Sequence, residues 1–185
     1  MTVTDFLGLL VTVFERTHIP YMVTGSFASS AHGRVRATED IDIVIAPTAE
    51  QLRALVAEFP SDRYYVDEDA ALDALREHSQ FNIIDLVSAW KADLIVRRQR
   101  EFSRTEFERR RPHMISGLEV YVATAEDVLI AKLEWARIGE SDRQIEDAAG
   151  IIESQGASLD IAYVERWVRE LGLDESWQQA NEKAL

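Results

Sequence analysis

One stretch limits the folds open to this chain more than any other: Tyr21 to Ile45, YMVTGSFASSAHGRVRATEDIDIVI. An apolar run, Tyr21-Met22-Val23, ends at Gly25-Ser26. A segment of small residues, Phe27 to Ala31, runs on to Gly33. A second apolar run, Ile41 to Ile45, carries Asp40 and Asp42 on alternate positions. Residues two apart on a strand share a face, so the two aspartates project together while Ile41 and Ile43 point the other way. Two carboxylates side by side repel unless a cation lies between them, and carboxylate oxygens suit a hard ion such as Mg²⁺. The plainer alternative is a hairpin-like strand with two solvated aspartates.

The first half of the stretch supplies a complement. Gly25 permits unusual dihedrals and a close backbone approach. Ser26 falls where a helix would begin, so its hydroxyl is a candidate cap, and the free N–H groups of a helix start attract phosphate. A phosphate seat beside a metal-binding carboxylate pair is a layout suited to phosphoryl or nucleotidyl transfer.

Gly25-Ser26, thirteen residues, then Asp40-Ile41-Asp42 resembles the signature of the DNA polymerase β-type nucleotidyltransferase superfamily. That signature is an apolar strand, Gly-Gly or Gly-Ser, a helix, then Asp-x-Asp or Asp-x-Glu. The segment RATEDID is similar, more narrowly, to the small bacterial branch that includes the AbiEii-type toxins of toxin–antitoxin systems. The resemblance implies a third carboxylate on a later strand. In FNIIDLV, Phe81 to Val87, that position falls on Asp85, as metal ligand or as base toward the attacking hydroxyl. An aspartate facing solvent at a strand end is the other reading of Asp85. The helical segment TAEDVLIAKLEWARIGESDRQIEDAAGII resembles the same branch. Lys132 matches a lysine implicated in holding nucleotide phosphates, and Asp147 matches an aspartate that orients basic groups. Arg143 lies one turn before Asp147 and can pair with it at i,i+4; Asp142 and Glu146 are alternatives for the acidic role.

The implied activity is transfer of a nucleoside monophosphate from an NTP to an acceptor hydroxyl on RNA, protein or a small molecule. Asp40, Asp42 and Asp85 would hold Mg²⁺ (or Mn²⁺). Gly25 and Ser26 would seat the triphosphate, and Arg36, Lys132 and Arg143 would neutralise its charge. A toxin–antitoxin component with an antitoxin-like partner is part of the same expectation. A different class also fits: a non-catalytic nucleotide-binding or protein-interaction module on the same fold. An antibiotic adenylyltransferase is a third option, favoured by an acidic acceptor pocket because such substrates are cationic.

Composition narrows these choices. The chain has 185 residues, 46% of them hydrophobic, enough for one core with a helical appendage. It has no cysteine, which removes disulfides, thiolate metal sites and a cysteine nucleophile and agrees with a cytoplasmic location. It has no apolar run long enough to span a membrane, and its N-terminus lacks the pattern of a secretory signal. The net charge of −13 does not suit a nucleic-acid backbone. Seven arginines between Arg97 and Arg111 run against that balance. They read first as a solvated helix face interleaved with Glu101, Glu106 and Glu108, and otherwise as an RNA or triphosphate patch.

In order, the pattern predicts a helix over 5–17 capped by Thr4, strands over 21–23 and 40–45 around a short helix at 26–32, and a helix over 48–59 with Thr48 and Gln51 as a capping box. A strand over 63–66, a helix over 68–76 and a strand over 81–87 follow. Residues 89–109 read as mixed helix and loop. MISGLEVY reads as two short strands about a Ser-Gly turn. Helices over 125–138 (capped by Thr124), 142–155 (capped by Ser141), 159–171 and 175–184 complete the chain. The fold class is α/β (α+β): a nucleotidyltransferase-like mixed sheet flanked by helices over 1–122, then a small helical part over 123–185.

Overall fold

The computed structural model describes residues 1–31, 40–139 and 141–184. They divide into two compact units. The first holds residues 1–24 and 40–122; the second holds 25–31 with the helices that follow Val122.

The first unit opens with α1 (Val3–Arg16). Thr2 rather than Thr4 caps it: the Asp5 N–H donates to Thr2 Oγ1 and the Thr2 N–H donates to the Asp5 carboxylate, closing a capping box two residues earlier than the pattern suggested. The apolar face of α1 buries Phe6, Leu7, Leu10, Val13 and Phe14, and Phe14 stacks on Tyr21 of β1 (Tyr21–Val23) at 5.2 Å. Then come β2 (Asp40–Ile45), α3 (Ala49–Ala57), β3 (Tyr64–Tyr65), α4 (Glu68–Glu77), β4 (Gln80–Asp85), β5 (Lys91–Val96), α5 (Glu101–Arg109), β6 (Arg111–Ile115) and β7 (Leu118–Val122). The Thr48–Gln51 capping box of α3 is present as expected. At the β6–β7 hairpin, Ser116 and Gly117 both have positive φ (50° and 85°). Two consecutive left-handed residues match the twist of the flanking strands, and glycine takes the second at little cost.

Among the described residues, seven strands form one mixed sheet in the order β3-β4-β5-β2-β1-β7-β6. The β2–β5 and β1–β7 pairs are parallel and the others antiparallel. The segment 89–109, expected as mixed helix and loop, instead contains β5, a central strand between β4 and β2. Its two faces differ sharply. Ala92, Leu94 and Val96 stand beside Ile41, Ile43 and Ile45 of β2, and none of the six is more than 2% exposed. Phe81 and Ile83 of β4 extend this buried face. Burial of so much branched aliphatic surface, at about 25 cal/mol per Å², pins the strand register, because a one-residue slip would turn every one of these side chains outward.

The second unit contains α2 (Gly25–Ala31), α6 (Ala125–Gly139), α7 (Asp142–Gln155), α8 (Ile161–Leu171) and α9 (Asp174–Lys183). The short helix of small residues lies against α6, with Ala28 fully buried. Thr124 accepts from the Asp127 N–H at the start of α6, as expected of a cap. Ser141 occupies the N-cap of α7 but makes no side-chain cap bond. Gly156 and Gly172 end α7 and α8 with positive φ, the conformation that favours glycine there. Among the described residues, no helix is long and apolar enough to cross a membrane.

Candidate active site

The first unit carries a polar face on the sheet, opposite the aliphatic one. Its basis is the parallel register of β2 and β5: Asp40 stands beside Lys91 and Asp42 beside Asp93. Neighbouring strands lie about 4.8 Å apart, and side chains at paired positions point to the same side. The expected convergence of Asp40 and Asp42 on one face is therefore present, and a third carboxylate joins them from β5. Antiparallel pairing of β4 places Asn82 opposite Asp93. With its amide nitrogen turned toward that neighbour, Asn82 donates to Asp93 Oδ1 at 2.8 Å.

A cation lies within this cluster. Lys91 Nζ is 3.1 Å from Asp93 Oδ2 and 3.4 Å from Asp40 Oδ2, so one ammonium bridges the two strands. Burial by itself would lower the Lys91 pKa, but the hydrogen bond and charge of Asp93, aided by Asp40, outweigh it and raise the pKa above the ordinary lysine value. The face thus attracts positive charge strongly enough to overcome the desolvation of a lysine.

Asp85 does not belong to this face. It shares the phase of Phe81 and Ile83 on β4 and so points into the buried side of the sheet, where it is fully buried. Ser88 Oγ donates to its Oδ2 at 2.6 Å, the Val87 N–H to its Oδ1 at 3.2 Å, and Arg63 Nε lies 3.5 Å away. Burial pushes the carboxyl pKa up; the Ser88 and Val87 hydrogen bonds and the Arg63 charge together outweigh it and hold the pKa below the usual value. These contacts tie down the turn between β4 and β5. Asp93, and not Asp85, is the carboxylate that stands beside Asp42 on the polar face. The signal was in the sequence: in KADLIV, Lys91 and Asp93 alternate with Ala92, Leu94 and Val96 as a half-buried strand requires.

The donor set suits a hard divalent ion: carboxylates from adjacent strands, with an ammonium already between two of them. Among the described residues, no three carboxylate or imidazole groups are yet gathered around one point at ligand spacing.

In the second unit, Lys132 of α6 and Asp147 of α7 are both buried and pair at 2.9 Å, and Lys132 also donates to Gln144 Oε1 at 3.3 Å. The expected partner of Asp147 on its own helix, Arg143, is exposed and outside this pair. Of the two alternatives, Asp142 is exposed, and Glu146 is exposed and reaches Lys183 at 3.6 Å. Gly25 begins α2 with φ 62°, a conformation that favours glycine. Ser26 falls inside the first turn of that helix instead of at its cap. Arg36 lies outside the described residues, as do His32 and Gly33.

The arginine run is not a uniform solvated face, since several of its members lie on aromatic rings while Arg98, Arg104 and Arg111 are exposed. Arg97 and Arg110 both stack on Phe107, at 5.4 and 4.3 Å, and Arg110 also covers Tyr121. Arg100 lies over Phe102 and donates to Ser103. Burial, with the nearby Arg97 charge adding to it, pulls the Arg110 pKa down.

No protein-family profile matches the sequence, and no curated protein does either. Solved structures do match. A solution structure of the antibiotic-resistance factor ANT(2'')-Ia superimposes with TM-score 0.59 at 15% identity, over 97% of this chain and 96% of that one. A crystal structure of ANT(2'')-Ia in complex with adenylyl-2''-tobramycin gives TM-score 0.55 at 15% identity, over 95% and 98%. An antigenic nucleotidyltransferase-like protein from Paracoccidioides brasiliensis gives 0.51 at 17% identity, over 94% and 91%. The chain has the nucleotidyltransferase-like fold, a mixed sheet followed by helices.

Proposed function

We propose that the chain is a divalent-metal-dependent nucleotidyltransferase, with Asp40, Asp42 and Asp93 as its carboxylates. The observation that supports this best is the β2–β5 register, which sets Asp42 beside Asp93 and Asp40 beside Lys91 on the polar face of a nucleotidyltransferase-like sheet. A bound Mg²⁺ or Mn²⁺ would supply charge stabilisation for the phosphates and the attacking oxygen. Asp93, held by Asn82 and the least exposed of the bridged pair, takes the proton of the acceptor hydroxyl on its carboxylate. The acceptor oxygen then forms the bond to the α-phosphorus as the bond to the leaving pyrophosphate breaks. Gly25, Ser26 and Arg36 are assigned to the triphosphate. Lys132 and Asp147, which neutralise one another, are assigned to positioning α6 against α7, with Arg143 as an outer basic group.

A small, cationic, hydroxyl-bearing acceptor suits the chain better than RNA. The net charge of −13 opposes a polyanionic acceptor, and the factor whose structure matches 95% of this chain was captured with adenylylated tobramycin. The sequence resemblance to AbiEii-type toxins supplies the other acceptor class, RNA or protein, with an antitoxin-like partner. The test is calorimetric binding of the four NTPs with and without Mg²⁺ to the wild type, Asp42→Ala and Asp93→Asn, followed by transfer of label from the bound NTP to tobramycin, RNA or protein. Metal-dependent binding lost in both variants supports the transferase and identifies the donor. Binding that ignores both metal and substitutions, with no transfer, points instead to a non-catalytic nucleotide-binding module.

A further inference from the structure

We infer that Lys91 is the resident counter-ion of the carboxylate face: it holds Asp40 and Asp93 while no divalent ion is bound and gives up that position when one arrives. This rests on the assignment of Asp40, Asp42 and Asp93 as the metal-holding carboxylates. Lys91 is the first residue of β5, directly beside Asp40 in the register, and its Nζ reaches Oδ2 of both Asp40 and Asp93. Asp93 Oδ1 is meanwhile engaged by Asn82, so Lys91 competes for the oxygen that remains. An ammonium and a divalent ion about 4 Å apart repel appreciably even when partly hydrated, so the two compete for the same oxygens.

The residue type suits an exchangeable counter-ion. An ammonium is a compact point charge on a flexible four-carbon stem, whereas an arginine fork would lock bidentately onto one carboxylate. The Lys91 side chain is 31% exposed, so its head can swing into water while the stem stays on the sheet. Lys91 thereby keeps repelling carboxylates together in the metal-free protein and sets the concentration at which metal enters. Without it, the ion would meet a more negative site.

The test is Mn²⁺ binding to the full chain without nucleotide, read by calorimetry and by loss of the free-Mn²⁺ paramagnetic signal. The proteins are the wild type, Lys91→Met, Lys91→Gln and Asp42→Asn, the two lysine variants guarding against one that misfolds. Expected is about tenfold tighter Mn²⁺ binding in both lysine variants and weaker binding in Asp42→Asn. Their melting temperatures should fall below wild type without metal and recover when Mn²⁺ is added. If folded Lys91→Met and Lys91→Gln bind Mn²⁺ no tighter than wild type while Asp42→Asn weakens it, the counter-ion role is overturned and the metal site stands. If neither the wild type nor the lysine variants bind Mn²⁺, the metal assignment fails and this inference with it.

Discussion

Replacing Asp85 by asparagine separates a structural carboxylate from a catalytic one. The side chain is fully buried and accepts from Ser88 Oγ at 2.6 Å and the Val87 N–H at 3.2 Å. A hydrogen bond to a charged group contributes about 1.5–3 kcal/mol, and a neutral one about 1. The Arg63 contact, at 3.5 Å with its side chain half exposed, adds less than about 1 kcal/mol after solvent screening. Asparagine keeps the shape and one acceptor, so the expected loss is about 2 kcal/mol, or about 4–8 °C in melting temperature for a chain of this size. The pH dependence has a definite sign. The folded-state pKa is depressed, so the carboxylate's stabilisation is fully present above its unfolded pKa, about 3.9, and is lost as pH falls through the lower folded value. Urea unfolding should therefore show the full gap between wild type and Asp85→Asn at pH 7, narrowing below about pH 4. NTP binding by the folded variant should be unchanged. An unchanged urea midpoint at pH 7 combined with lost NTP binding would refute the reasoning and return Asp85 to the site.

Asp93→Asn should behave in the opposite way, with a melting temperature within about 2 °C of wild type and transfer reduced at least about a hundredfold in a label-transfer assay. Lys132→Met should cost about 3–5 kcal/mol in urea unfolding because it strands a buried carboxylate, and Lys132→Met with Asp147→Leu should recover most of that loss. Tyr163 donates to Asp127 Oδ1 at 2.6 Å, and Asp127 is fully buried; Tyr163→Phe should cost about 1–3 kcal/mol by the same measurement. Gly117→Ala should destabilise by about 1 kcal/mol or more, since φ at this turn is 85° and an L side chain strains there.

The elements the sequence revealed most clearly were those governed by near neighbours. The alternation DIDIVI specified a strand with two aspartates on one face, Ser-Gly specified a two-residue hairpin, and Thr48 with Gln51 specified a helix start. The local pattern is a poor guide where a distant partner decides the outcome. Strand β5 was obscured because Lys91, Arg97 and Arg98 flank a run of only a few apolar residues, and only its pairing with β2 and β4 makes it central. The family resemblance puts a third carboxylate at Asp85, but its phase with Phe81 and Ile83 sends it to the buried face, where Ser88 and Arg63 offset the penalty. Asp147 offered a partner one turn away on its own helix, yet the lysine across the helix pair took it, since a buried ammonium needs a close anion more than an exposed guanidinium does.

The parallel pairing of β2 with β5 has a consequence for how the site comes into being. Asp40 and Lys91 are neighbours in the sheet but about fifty residues apart along the chain, and a loop of that length closes only against a substantial entropy loss. Intervening hairpin and helix contacts close much shorter loops than this long-range strand pairing does. A partly synthesised or partly folded chain therefore has its aspartates on separate segments, and the carboxylate face they share exists only when the central strands have joined.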